Sequence, residues 1–133
     1  MAVKARIRFD FKVEPRTRRF FWQPRDIKET ARKLRASQAS LFRNLPFQGL
    51  NVESLDVDHE VYLVEDNESN REVAYAPLEM VVEADSIGDL MPLTLREEFR
   101  KIKLLEPQEI LLNHSDVERF LFQISAEYRQ ELN

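Results

Sequence analysis

The chain has 133 residues, of which 43% are hydrophobic and 33% are charged, and its formal net charge is −4. This length fits a single domain with its own core, since domains commonly hold about 100–150 residues. The absence of cysteine excludes disulfides, zinc–thiolate sites, iron–sulfur clusters and thiol catalysis. No apolar run approaches the ~20 residues of a membrane span. No signal peptide is expected, because charges interrupt the apolar residues of 3–13 at every second position. We therefore expect a cytoplasmic protein with no membrane partner.

The two parts of the chain carry opposite charge. Residues 1–45 hold 13 Lys/Arg against 4 Asp/Glu, a balance of +9, whereas residues 46–133 hold 7 against 20, a balance of −13. This asymmetry predicts either two oppositely charged faces or an electrostatic match within the fold or between copies of the chain.

The first strong pattern is a strand near the N-terminus. Apolar residues alternate with charged ones from Val3 to Glu14, and a period of two is typical of a strand that is buried on one face. We expect this strand to support the rest of the fold, with its apolar side chains inward and a mostly cationic outer face.

A helix is expected next, beginning at Pro24 or Arg25, because proline is tolerated in the first turn of a helix. Residues 15–24 before it, bounded by prolines, predict an extended connection. The helix carries one apolar stripe at helical spacing, interrupted once by a polar residue, with Phe42 beside its end. The positions of the stripe are Ile27, Ala31, Leu34, Gln38 (the interruption) and Leu41. Pro46 and Gly49 are expected to end the segment.

Two further alternating segments, 51–65 and 72–84, flank a polar turn and predict a β-hairpin. In the first segment, His59 is expected on the inward face between Val57 and Val61. In the second, Ala74, Ala76, Leu78, Met80 and Val82 are expected inward. Pro77 has no backbone N–H to donate to a neighbouring strand, so its strand is expected to lie at a sheet edge or to contain a bulge.

The C-terminal part predicts a short helical turn within 85–94, a strand over 98–106 and a final helix. A helix over 95–105 is the open alternative to that strand. Ser115 and Glu118 form a capping-box pattern at the start of the final helix. Its expected buried stripe consists of Val117, Phe120, Leu121, Ile124, Tyr128 and Leu132.

The predicted order is therefore β-α-β-β-β-α in one α+β domain spanning residues 1–133. With the usual crossover, the first two strands are parallel and the hairpin returns antiparallel. This order predicts a ferredoxin-like two-layer sandwich with a mostly antiparallel sheet and an added C-terminal helix.

The candidate binding residues form a basic and aromatic segment. They are Arg16, Arg18, Arg19, Phe20, Phe21, Trp22, Arg25, Lys28, Arg32 and Arg35. Positive charge interleaved with aromatic rings is typical of surfaces that bind nucleic acid, and Arg6, Arg8 and Lys12 would extend this surface. The alternative is that the aromatic triplet fills the core or an interface, while the helical cations form a solvated ridge.

No residue pattern indicates catalysis, and no cofactor or metal is expected. Asp56, Asp58 and Glu60 lie along one strand face and lack the loop geometry of a calcium site. His59 and His114 have no second ligand or nucleophile motif beside them.

The first functional hypothesis is a small non-enzymatic interaction or assembly module that self-associates, with a dimer favoured, or that binds another protein. It rests on the charge asymmetry, the aromatic triplet and the lack of active-site motifs. The second is a nucleic-acid-binding protein that uses segment 16–35. The third is a small-ligand-binding or enzymatic domain with a pocket between helix and sheet.

Overall fold

The computed structural model describes residues 2–15, 24–44, 47–66 and 71–132. The strands are β1 (Val3–Val13), β2 (Leu50–Asp56), β3 (Tyr62–Asp66), β4 (Arg71–Ala84) and β5 (Phe99–Glu106). The helices are α1 (Pro24–Asn44), α2 (Met91–Thr94) and α3 (His114–Leu132), with a 3₁₀ turn at Ile87–Leu90. The expected mixed α+β class is confirmed. None of the described helices is long and apolar enough to cross a membrane.

All five strands join one antiparallel sheet in the order β2-β4-β1-β5, and β3 also pairs with β4. Both β1 and β2 run antiparallel to β4, so they are parallel to each other with β4 between them. The β1–β4 register opposes Val3 to Ala84 and Val13 to Ala74 without a shift. The two longest strands therefore form the centre of the sheet.

The inward alternation expected for β1 and β4 is confirmed. Ile7 and Phe9 on β1 are fully buried, as is Leu78 on β4. The Phe9 ring stacks on the Phe42 ring of α1 at a centroid distance of 5.4 Å. The core thus lies between α1 and one face of the sheet, and we call the opposite face the outer face.

Helix α1 is turned slightly away from the expected stripe. Ile27, Ala31, Ala39 and Phe42 are buried, but Leu41, which was expected inward, is 45% exposed. Arg35 is buried on the inward side of the helix instead, with 6% of its surface exposed. Because Ala31 and Ala39 lie one turn to either side of it, the helix can approach the sheet closely there and enclose the Arg35 side chain.

The expected single strand over 51–65 is wrong, since residues 57–61 leave the sheet and separate β2 from β3. Residues 79–84 of β4 pair with β2 and residues 71–75 pair with β3, so Pro77 lies opposite the break. Proline has no N–H for the ladder, which is a physical reason for the interruption. The expected edge position of this strand is also wrong, because β4 is central.

Arg35 fills the break in the sheet. Its Nη1 donates to the carbonyl oxygen of His59 at 2.6 Å and to that of Pro77 at 3.1 Å. One guanidinium thus satisfies carbonyls on both sides of the interruption, which the ladder leaves without partners. His59 itself lies outside any strand, with its side chain 39% exposed, so its expected inward strand position is wrong.

The strand expected over 98–106 is confirmed as β5, and the helical alternative is wrong. β5 pairs with β1 and is shifted in register at two places. These shifts explain its weak alternation, because each extra residue turns the following side chains to the other face.

Helix α3 begins two residues earlier than expected. The Asn113 N–H donates to Asp116 Oδ2 at 3.1 Å, and the Asp116 N–H donates to Asn113 Oδ1 at 2.8 Å. This reciprocal pair takes the place of the expected Ser115–Glu118 capping box. The expected burial of six apolar residues along this helix is wrong for Val117, Leu121, Ile124 and Tyr128, which are exposed. Phe120 is half-buried, and the side chain of Leu132 lies outside the described residues.

Candidate interaction surfaces

Four cations lie together on the outer face of the sheet. In the β1–β5 register Arg6 is directly opposite Lys103, and Arg8 is directly opposite Lys101. We call these four residues the cation strip. Like charges directly opposite each other on neighbouring strands are destabilising by up to about 1 kcal/mol, so folding alone gives no reason for this arrangement.

The other side of the outer face is acidic. Glu79 on β4 lies opposite Asp56 on β2, and Glu83 lies opposite Asn51. Lys4 reaches across to Glu53 on β2, with its Nζ 3.2 Å from Oε1. The outer face therefore has a basic side on β5 and β1 and an acidic side on β4 and β2. The basic side draws on both parts of the sequence, because β5 lies within residues 46–133.

A buried carboxylate lies at the end of the cation strip. Asp10 is only 3% exposed. Its Oδ1 accepts a hydrogen bond from Arg8 Nε at 2.8 Å, and its Oδ2 accepts one from the Tyr62 hydroxyl at 2.6 Å. Arg100 Nε lies 3.9 Å from the same Oδ2, and its guanidinium lies over the Tyr75 ring. One carboxylate thus meets two guanidiniums, and the group remains net positive.

Tyr62 is the titratable group most strongly affected by this cluster. Burial and the hydrogen bond to Asp10 raise the pKa of Tyr62 to about 12. Because the folded state holds this proton more tightly than the unfolded state, the stabilisation is complete below pH ~10 and is lost as pH rises through ~12. We expect Tyr62→Phe to remove this alkaline dependence and to cost about 1 kcal/mol of unfolding free energy at neutral pH, measured by urea denaturation.

The matched control is Tyr75→Phe, which keeps the ring stack on Tyr62 at 5.2 Å. In an ultraviolet titration, the Tyr75→Phe variant should still contain the phenol that ionises at high pH, which we assign to Tyr62. An unchanged titration in Tyr62→Phe would show that the assignment to Tyr62 is wrong.

Two clefts lined by described residues border the sheet. The larger, of about 530 Å³, lies between the end of β1, α1 and the loop before β5. Its polar groups largely pair with each other, since Arg96 contacts Glu98 at 2.7 Å and Gln38 at 3.2 Å. The smaller, of about 230 Å³, lies beneath the start of α3. Within the described part of the chain, no group of three or more His, Asp or Glu could hold a metal ion.

Helix α3 contacts the rest of the fold along one narrow side. Gln123 Nε2 donates to the Gly88 carbonyl at 2.6 Å, and Phe120 lines the small cleft. A second side of the helix carries Val117, Leu121, Ile124 and Tyr128, which are between 39% and 59% exposed. We call these four residues the α3 stripe. Leu111, which precedes the helix, and Phe122, on another side of α3, are exposed still further, at 83% and 76%.

The predicted binding segment is only partly described. Arg16, Arg18, Arg19, Phe20, Phe21 and Trp22, and the side chain of Arg25, lie outside the described residues. Arg32 is exposed and pairs with Glu29 at 3.1 Å, and Lys28 is half-buried. Arg35 is buried in the sheet break, so its guanidinium is absent from the exposed ridge that the sequence predicted.

The sequence interpretation missed Lys101 and Lys103 as neighbours of Arg6 and Arg8. The available signal was the run Arg-Lys-Ile-Lys over 100–103, which becomes informative only when its pairing with β1 is known. No protein-family model matches the chain, and no curated protein or solved structure matches it either.

Proposed function

We propose that this protein is a non-enzymatic assembly module whose α3 stripe binds the α3 stripe of a second copy. The observation that carries the proposal is an amphipathic helix whose apolar stripe remains 39% to 59% exposed in the described part of the chain. Monomers rarely leave a large contiguous apolar patch in water, and patches that persist mark interaction sites.

The exposed area fits a dimer. Seven large apolar side chains on α3 and the segment before it are exposed: Leu111, Leu112, Val117, Leu121, Phe122, Ile124 and Tyr128. Phe122 lies on the other side of the helix from the stripe, and without it the remaining six present on the order of 600 Å². This area is at the low end of the roughly 600–1,000 Å² that each partner buries in a standard interface.

The spacing of the α3 stripe is self-complementary. Successive members are four, three and four residues apart, which is the seam of a two-helix coiled coil. In an antiparallel pair with a twofold axis between Leu121 and Ile124, each of these residues meets the other on the second copy. Val117 then meets Tyr128 at both ends of the seam.

Flanking charges favour this antiparallel arrangement. Glu118 and Arg129 are exposed and lie on the same flank of the stripe, since they are eleven residues and close to three full turns apart. A twofold axis perpendicular to the helices keeps each flank beside its equivalent, so Glu118 of one copy lies near Arg129 of the other. Parallel pairing would separate them along the helix axis by about 16 Å.

Disulfide trapping tests both the surface and the orientation. The chain contains no cysteine, so Val117→Cys and Tyr128→Cys each introduce a single thiol. An equimolar mixture of the two variants is expected to form a disulfide-linked dimer under mild oxidation, whereas each variant alone should remain largely unlinked.

Efficient linking of Val117→Cys with itself would contradict the antiparallel arrangement while supporting the surface. If no combination of the variants forms a disulfide, and the Ala126→Cys control is also unlinked under the same conditions, self-association through this stripe is contradicted.

For the fold, we propose that the strand order is a reduced ferredoxin-like arrangement. The sheet order supports this proposal if β2 and β3 are counted as one interrupted strand. The short α2 then stands where the second crossover helix of that arrangement would lie. A determined experimental structure with a different strand order would contradict it.

A further inference from the structure

We propose that the cation strip, Arg6, Arg8, Lys101 and Lys103, binds the phosphate chain of a single-stranded nucleic acid. This site is separate from the α3 stripe, so it does not depend on the proposed assembly function. It also uses different residues from the segment 16–35 that the sequence indicated.

The strip holds cations that the described part of the fold does not neutralise. No described carboxylate lies within 4.0 Å of the charged nitrogens of Arg6, Lys101 or Lys103. All three side chains are exposed. Arg8 shares Asp10 with Arg100, so this trio adds one further net positive charge. A phosphate chain that contacts such a surface releases cations condensed along the nucleic acid, and this release favours binding.

The shape of the strip suits a chain of phosphates. Outward residues recur about every 7 Å along a strand, and the two strands lie about 4.8 Å apart. The four charges therefore form a compact, nearly flat block that offers several contacts to consecutive phosphates. A single bound anion would use only part of it.

The acidic side of the sheet does not cancel this attraction at physiological salt. The acidic side begins on β4, one strand spacing from β1, where Glu79 lies opposite Arg8. Lys101 and Lys103 on β5 lie two strand spacings, or about 10 Å, from β4. Charges in water are screened over about 8 Å at 0.15 M ionic strength. The overall charge of −4 therefore understates the local positive potential over β5, the strand farthest from the acidic side.

An aromatic pair makes a single strand a better ligand than a duplex. Tyr62 and Tyr75 stack at 5.2 Å near the Asp10 end of the strip, and Tyr62 is 37% exposed. Unstacked bases can lie against such a ring, whereas bases within a duplex cannot.

The test is fluorescence anisotropy with labelled oligo-uridylate and oligo-deoxythymidylate over ~50–200 mM salt. Four phosphate contacts predict a logarithmic salt slope of about −2.8, which weakens binding about 50-fold over this range. Lys101→Gln with Lys103→Gln should halve the slope to about −1.4 and weaken binding only about 7-fold. The matched control, Lys28→Gln with Lys33→Gln on α1, should keep the original slope.

Two further probes separate the ligand classes. A duplex of the same length should bind more weakly than the single strand. Tyr62→Leu should weaken binding of the single strand but not of inorganic polyphosphate. Equal binding of the duplex, or an equal effect of Tyr62→Leu on polyphosphate, would overturn the assignment to single strands. The proposed site would be wrong if the oligonucleotides did not bind at 50 mM salt, or if the salt slopes of the two double variants were equal.

Discussion

Replacing Arg35 by methionine is expected to lower the free energy of unfolding by roughly 2–4 kcal/mol. Methionine fills a similar volume but donates no hydrogen bond, so the buried carbonyls of His59 and Pro77 would lose the donor that satisfies both. The sheet cannot supply a replacement at Pro77, because its break lies there. Hydrogen bonds to charged groups contribute more than neutral ones, which is why the expected effect exceeds that of a typical surface change.

The control is Arg32→Met, which removes the same charge one turn earlier on α1. Arg32 is exposed and its pair with Glu29 is solvated, so this change should cost less than about 0.5 kcal/mol. Urea denaturation followed by circular dichroism measures both. If Arg35→Met lowers the free energy of unfolding by less than ~1 kcal/mol, the hydrogen bonds of Arg35 do not stabilise the fold at the sheet break.

The regular strands were predictable from the sequence because their pattern is local. β1 alternates through its whole length, and the inward set of β4 from Ala74 to Val82 was identified correctly. The break between β2 and β3 was not predictable in the same way. The break depends on Pro77 in the neighbouring strand and on Arg35 in helix α1. The alternation of residues within 51–65 does not reflect the position of either residue.

The candidate surfaces show the same limit. Arg6 and Arg8 were recognised as outward cations, but Lys101 and Lys103 join them only through the register of β5. The α3 pattern correctly indicates an amphipathic helix. An amphipathic pattern shows that a helix has an apolar side, but it does not say whether its own domain covers that side. The helix instead contacts its domain through Phe120 and Gln123.

Replacing Leu121 by aspartate is expected to abolish self-association while leaving the fold intact. Leu121 is 59% exposed in the single chain, so the change costs the monomer little. In the antiparallel pair it would place two unpaired carboxylates in the centre of the seam. Loss of two buried leucines alone is worth about 4 kcal/mol, or roughly a 1,000-fold weaker Kd. Ala126→Asp adds the same charge on the opposite side of α3 and should leave association unchanged.

The most direct test of the account is the molar mass in solution of the unaltered chain beside these two variants, by light scattering across a ~100-fold range of concentration. We expect the unaltered chain and Ala126→Asp to approach twice the 15.8 kDa of one chain as concentration rises, and Leu121→Asp to stay at the single-chain mass. An unaltered chain that remains at 15.8 kDa throughout, or a Leu121→Asp variant that still dimerises, would contradict the assignment of α3 as the assembly surface.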